Sequence, residues 1–412
     1  MTVQQFVPMS SPDITLAEAE AVAEVLKTSY LSIGPRIQAF EGAVAEYVGA
    51  CHAAAVNSGT SGLHLAIIAA GVQDGDLVIT TPFSFIASAN CILYERAIPV
   101  FVDVDPVTGN IAPGLVAQAV RDLAQGGAAA QRWLPREVAA GSVGRVKALL
   151  PIHAFGQPAD MDPIVAVARE YGLMVIEDSC EAIGAEYKGR QAGTLGDAGV
   201  FAFYPNKQMT TGEGGMIVTD REDWADLFRS LRNQGRDVFD AWLNHTRLGY
   251  NYRMDEMSAA LGLAQLSRLD ELLAKRAKVA RWYSERLAGH ELIETPQIVS
   301  ATTRMSWFVY VVRIKPPADR DEVLHALDGQ GIPSRPYFTP IHLQPLYRQR
   351  FGYEIGDFPI TEELGMVSLA LPFSSVMTEG QVDYVCECLV GEVERNQCVL
   401  EPKAARQPAG GA

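Results

Sequence analysis

The segment Ala53-Ala54-Ala55-Val56-Asn57-Ser58-Gly59-Thr60-Ser61-Gly62 decides the fold. A short run of small and β-branched residues stops at Asn57-Ser58-Gly59, and a helical apolar pattern, Gly62–Gly71, begins at once. Working outward, the same alternation recurs, with strands predicted at Ala53–Val56, Leu77–Thr80, Pro99–Asp103, Lys147–Ile152, Leu173–Glu177, Gly199–Phe203 and Met216–Thr219. Helices such as Asp160–Tyr171 separate most of them. Strands that read as nearly continuous apolar runs are buried on both faces, so the expectation is an α/β large domain over 31–254. Its core is one mostly parallel seven-stranded sheet between helices.

The rest of the chain follows a different pattern. Residues 1–30 read as an N-terminal arm and helix. A helical pattern from Asp255 to about Leu287 precedes a strand at Trp307–Ile314, a helix at Asp321–Gln330 and a strand at Ile332–Pro336, which predicts a smaller C-terminal α+β domain over 255–398. The closing EPKAARQPAGGA has no apolar period, and 399–412 is expected to be a disordered tail. The Ala/Gly-rich stretch 124–145 is expected to be a surface excursion. The charge run ELLAKRAKVARWYSER, from Glu271 to Arg286, is read as the wet face of the long helix.

Composition excludes several functions. The 412 residues exceed the roughly 250 to 300 at which a single core stops growing, so a lone small module is ruled out. With 49 acidic and 34 basic side chains the formal charge is −15, which speaks against nucleic acid as a partner. No apolar run reaches the eighteen or so residues of a membrane span and no leader pattern precedes the arm, so a cytoplasmic protein without a membrane partner is expected. The 6 cysteines form no CxxC pair and read as reduced thiols, and the histidines lack paired ligand spacing, so no metal is assigned. Trp133, Trp224, Trp242, Trp282 and Trp307 read as packing residues.

Three clusters carry chemistry. Asn57–Gly62 places amides and hydroxyls at a helix N-terminus, a ready anion site, although an ordinary N-cap explains the same residues. Val175-Ile176-Glu177-Asp178-Ser179-Cys180-Glu181 puts acids at the end of a buried strand, where open α/β sheets hold ligands. A buried Asp178 there wants a cationic partner, whereas a helix-cap role is the plainer alternative. Phe203-Tyr204-Pro205-Asn206-Lys207-Gln208, followed by the glycine-rich Thr210–Gly215, sets Lys207 on an irregular turn at a third strand end, a candidate nucleophile, with a solvated surface charge as the plainer alternative. Neither GxGxxG nor GxxxxGK[ST] is present. A phosphate loop, an aspartate and a lysine in this order fit pyridoxal 5′-phosphate: the phosphate needs amide donors, the pyridine nitrogen a carboxylate, the aldehyde an amine.

At this point the chain resembles the DegT/StrS-type nucleotide-sugar aminotransferases, which are fold type I pyridoxal-phosphate enzymes. The likeness runs from about Pro8 to Leu389 and is carried by LSIGPRIQAFE (Leu31–Glu41), NSGTSGLHLA (Asn57–Ala66), FSFIASAN (Phe83–Asn90), FVDVDP (Phe101–Pro106), IEDSCEAIGAEYKG (Ile176–Gly189), FYPNKQMTTGEGG (Phe203–Gly215) and LGYNYRMDEMSAALGLAQL (Leu248–Leu266). The resemblance implies that Lys207 forms the Schiff base and moves the proton, that Asp178 pairs with the pyridine nitrogen, that Glu181 meets the ring hydroxyl, and that Phe85 stacks on the ring. It implies Gly59, Thr60 and Ser61 on the phosphate, joined by Asn251 from the partner subunit of a homodimer with shared active sites. Arg253, Tyr337 and His342 would face substrate.

Two positions depart from the family pattern. Ala202 stands where many relatives have a phosphate-binding serine, with Asn206 or Ser58 as the substitute; Glu181 stands where many have glutamine or histidine. The implied activity is transfer of the amino group of L-glutamate, giving 2-oxoglutarate and the pyridoxamine 5′-phosphate form, to a nucleotide-linked keto-deoxysugar. The LSIGP and PNKQMTTGEGG segments favour C4 of a 4-keto-6-deoxy sugar over a 3-keto sugar or aminocyclitol ketone. A non-catalytic regulator that binds the same cofactor is the alternative of another class.

Overall fold

The computed structural model describes residues 6–138, 143–236 and 244–404, with side chains as far as Asn396. Seven strands, β1 (His52–Val56), β2 (Leu77–Thr80), β3 (Ile98–Phe101), β4 (Val146–Leu149), β5 (Met174–Asp178), β8 (Ala198–Ala202) and β9 (Gly215–Thr219), form one sheet in the order β1-β9-β8-β5-β4-β2-β3. The pairs from β3 to β8 are parallel, whereas β9 runs antiparallel to both β8 and β1. Two reversals cancel, so β1 points the same way as β5 and β8. The carboxyl ends of these three strands therefore share one edge of the sheet.

Alternate side chains of each strand feed opposite faces. Ala54, Val56, Val200 and Ile217 pack under α3 (Gly59–Ala69), α4 (Ala87–Tyr94) and α8 (Glu222–Leu231). Ala53, Ala55, Phe201 and Met216 face α2 (Pro35–Val48), α9 (Glu256–Ser267) and α10 (Leu269–Leu287), while Leu77, Val100 and Val175 face α5 (Pro113–Gln125) and α7 (Met161–Tyr171). Cover on both faces is why the strand runs lack polar alternation. Arm helix α1 (Leu16–Leu26) lies on α9: Arg268 Nη1 reaches Glu18 at 2.8 Å, and Gln265 Nε2 reaches the same carboxylate at 2.9 Å.

A second, antiparallel sheet, β10 (Ile293–Glu294), β12 (Tyr310–Ile314) and β13 (Ser368–Leu371), packs with α10, α11 (Arg320–Asp328) and α14 (Glu379–Ala404) around Tyr283, Tyr310, Leu327, Val382 and Leu389. A short hairpin, β6 (Glu186–Tyr187) and β7 (Arg190–Gln191), pairs with β11 (Thr302–Arg304). Helices α12 (Pro345–Phe351) and α13 (Pro359–Val367) lead into β13. Among the described residues, no helix is long and apolar enough to cross a membrane.

Several expectations are corrected. The helix predicted over 255–287 is two helices, because Arg268 leaves helical geometry while its side chain joins Asp13, Glu18 and Glu271. Ile332–Pro336 is not a strand: only Arg335 bridges to Ala370, and Pro333 and Pro336 have no amide to donate. The strand expected from Trp307 starts at Tyr310. The Ala/Gly-rich stretch is not merely peripheral. It forms α6 (Gly127–Gln131), buries Ala130 and Leu134, and pairs Arg136 with Asp357; 139–142 lie outside the described residues, as does Trp242. Helix α14 continues to Ala404, into the predicted tail, and 405–412 are not described. Nor is the charged run of α10 wet throughout, since Arg276 is fully buried.

Candidate active site

Three chain turns meet at the shared sheet edge. After β1, Ser58 caps α3: its Oγ accepts from the Ser61 amide at 3.1 Å, and its carbonyl accepts from Gly62. The amides of Gly59 and Thr60, in the first helical turn, have no acceptor inside the helix. Both residues line a cavity of about 340 Å³. Gly59 is required for this close approach, since a Cβ there would lie 2.7 Å from Ala202 Cβ and 2.8 Å from Cys180 Sγ.

At the end of β5, neighbouring acids take opposite faces. Glu177 is inaccessible and accepts from the amides of Gly193, Leu195 and Gly196 at 2.9, 2.6 and 2.7 Å, and from His153 Nε2 at 2.9 Å. The Ala159 amide donates to His153 Nδ1, which fixes the ring hydrogen on Nε2. Asp178 faces the cavity and has two donors, Ser88 Oγ at 2.6 Å and the Cys180 amide at 3.2 Å, so lone pairs remain for a cationic partner.

After β8 the chain turns through Tyr204-Pro205-Asn206 and delivers Lys207. Its Nζ lies 3.5 Å from Glu181 Oε1 and 3.7 Å from the centroid of the Phe308 ring. Glu181 Oε2 accepts from the Phe155 amide at 3.0 Å. Burial pushes the Glu181 carboxyl above the usual carboxylate range, against the opposing pull of Lys207. Tyr337 closes another wall, its hydroxyl pushed up to about 12 by burial and by the nearby Glu181 charge. Phe85 stands exposed at the rim, and Asn206 presents a buried Oδ1 with no partner among the described residues.

The structure thus gathers Gly59, Thr60, Phe85, Asp178, Glu181, Asn206, Lys207 and Tyr337 around one cavity. Ser61 is not on its wall: its hydroxyl turns back to Asn57 Oδ1 at 2.7 Å. His342 is also elsewhere, buried with Nε2 3.0 Å from Glu362 Oε1 and its ring against Phe358. Asn251 is exposed and bridges Asn233, whose Oδ1 accepts from Arg253 at 3.1 Å; neither residue lines this chain's cavity. Of the two substitutes for the serine missing at Ala202, Ser58 is occupied in capping, and Asn206 lines the cavity with a side-chain NH2 that can donate to a phosphate. Sequence reasoning missed Ser88, which sits inside a quoted motif, and Phe308, hidden in an apolar run that reads as strand. It also missed Arg276.

The donor set suits pyridoxal 5′-phosphate. Open amides at a helix N-terminus match a phosphate, a carboxylate with free lone pairs matches a protonated ring nitrogen, and an amine at the end of a turn matches an aldehyde. A family model for the DegT/DnrJ/EryC1/StrS aminotransferases matches residues 12–390. GDP-perosamine synthase of Caulobacter vibrioides is 40% identical over 386 residues, covering 93% of this chain and 97% of that protein. Among solved structures, S. venezuelae DesV, in complex with a ketimine intermediate, is 31% identical with a TM-score of 0.82, covering 95% of this chain and 99% of that one. DesI, in the presence of its TDP-sugar product, is 28% identical with a TM-score of 0.83, covering 97% and 96%.

Proposed function

The chain belongs to the DegT/DnrJ/EryC1/StrS aminotransferase family and is a pyridoxal-phosphate-dependent sugar aminotransferase, and from that premise we propose that it carries the amino group of L-glutamate to a nucleotide-linked keto-deoxysugar, at C4 of a 4-keto-6-deoxy sugar. The observation that carries the reading is the convergence of Lys207 Nζ, the Asp178 carboxylate and the open Gly59 and Thr60 amides on one cavity. When bound, the cofactor supplies an electron sink for the carbon that bears the amino group.

The residues do the rest. The first turn of α3 holds the phosphate, with Asn206 in place of the serine lost at Ala202. Asp178, held by Ser88, keeps a proton on the ring nitrogen. Lys207 Nζ would hold the aldehyde and would take and return the proton at the substrate carbon. Glu181 meets the ring hydroxyl, and Phe85 and Tyr337 shape the mouth and exclude water. Asn251, unused by its own cavity, serves the partner's phosphate in a homodimer, with Arg253 beside it facing substrate. Likeness to a GDP-perosamine synthase and to a protein with a TDP-sugar product supports a nucleotide-linked substrate, and the LSIGP segment supports C4.

The test is turnover. Purified enzyme with pyridoxal phosphate and L-glutamate is given GDP- and TDP-linked 4-keto-6-deoxy sugars, 3-keto sugars and an aminocyclitol ketone. The expected result is 2-oxoglutarate and a 4-amino sugar in equal amounts. Cofactor binding without turnover of any ketone would overturn the reading, and turnover of 3-keto sugars alone would overturn its C4 assignment.

A further inference from the structure

Arg276 is the largest fully buried side chain described, 2% exposed, and it has no carboxylate partner among the described residues. Desolvation lowers its guanidinium to about 10. An unpaired buried cation is costly, and an apolar side chain of similar volume would fill the space without that cost. The guanidinium instead donates to four main-chain carbonyls. Nη2 reaches Lys207 O at 2.5 Å and Asn206 O at 3.2 Å; Nη1 reaches Phe308 O at 3.0 Å and Trp307 O at 3.3 Å.

These two carbonyl pairs belong to two neighbouring segments whose side chains meet at the cavity. One carries Lys207; the other carries the Phe308 ring, 3.7 Å from Nζ. Neither segment is regular. Lys207 sits in a turn between β8 and β9, and Trp307 adopts φ +51, a left-handed conformation rare for a bulky residue. Irregular backbone needs an external tie, and the planar fork of an arginine can hold two carbonyl pairs where one point charge cannot.

We propose that Arg276 is a positioning residue for the reaction: reaching from α10 behind the site, it fixes the distance between the Lys207 turn and Phe308, and so holds Nζ in its reactive place. The proposal rests on the reading of Lys207 as the cofactor's lysine. That reading fails separately if the wild-type protein develops no visible band with pyridoxal phosphate.

The test compares wild type, Arg276→Met and Arg276→Lys. The apoprotein is mixed with pyridoxal phosphate and the visible band is timed; then L-glutamate is added and its bleaching is followed over a range of concentrations. Melting of each apoprotein is recorded. A 1 Å displacement costs about a hundredfold, so Arg276→Met is expected to slow both band formation and maximal bleaching by about tenfold to a hundredfold. The glutamate concentration for half-maximal rate should stay within about twofold, since no donor contact is removed. Arg276→Lys, which keeps the charge but loses the fork, should recover only part of the rate. If Arg276→Met does not fold, slow band formation in folded Arg276→Lys carries the same support. Wild-type rates of band formation and bleaching in a folded variant would overturn the proposal and leave Arg276 a packing residue.

Discussion

The two walls of the cavity are built by different means. On the sheet side, Gly59, Asp178 and Lys207 each stand where a strand ends and the chain must turn, so a local cue announces each one. Beside it, Phe308, Tyr337 and Phe338 arrive from segments with no regular structure, held by Arg276 and by packing against Phe155. The difference separates chemistry from geometry. In the proposed reading the sheet edge supplies the reactive groups, and the irregular wall sets where they sit.

Replacing sheet-side groups should therefore remove the reaction, and replacing groups of the other wall should slow it. Lys207→Ala, which deletes the proposed nucleophile and proton carrier, is expected to reduce amine transfer by about 10⁴-fold or more, measured as 2-oxoglutarate released per enzyme. Retention of a tenth of the activity would break the assignment. Next, Asp178→Asn leaves the shape and removes the charge. Breaking a buried charge pair costs about 3–5 kcal/mol, so the glutamate half-reaction should slow by about 10² to several 10³-fold, read from stopped-flow bleaching. In the irregular wall, Phe308→Leu removes a ring whose interaction with Nζ is worth about 0.5–2 kcal/mol; a loss of roughly two- to thirtyfold is expected, and a loss matching that of Asp178→Asn would erase the distinction between the walls.

The contrast also governs what the sequence reveals. The seven strands, their order along the chain and the three strand-end clusters are legible, because burial on both faces writes continuous apolar runs and tight turns demand glycine, proline and serine. Arg276 is not legible. In Glu271–Arg286 it is one charge among many, and the helical period alone cannot tell which charge faces carbonyls rather than water. His342 misleads in the opposite sense: it lies five residues after Tyr337, yet the chain bends so that Glu362 and Phe358 enclose it. Glu177 and Asp178 are adjacent in sequence and opposite in role, and only the sheet shows which of them faces the cavity.

The smallest effect expected concerns Glu181. Burial raises its folded pKa above the unfolded value, so the fold favours the neutral carboxyl, and the stability this group contributes is present below the unfolded pKa and is lost as pH rises through the folded pKa. Glu181→Gln never ionises. The melting temperature of the apo variant relative to apo wild type should thus be higher at pH 8 than at pH 4.5. A constant difference would mean that Lys207 offsets burial at this carboxyl, and one that falls with pH that it outweighs burial; either would contradict the expectation.

The central claim, that Lys207 is the residue joined to the cofactor, has a direct measurement. Protein loaded with pyridoxal phosphate is reduced with borohydride, digested and mapped by mass spectrometry. The pyridoxyl-phosphate adduct is expected on the peptide containing Tyr204–Thr211, at Lys207. An adduct on another lysine, or none on a protein that binds the cofactor, would contradict it.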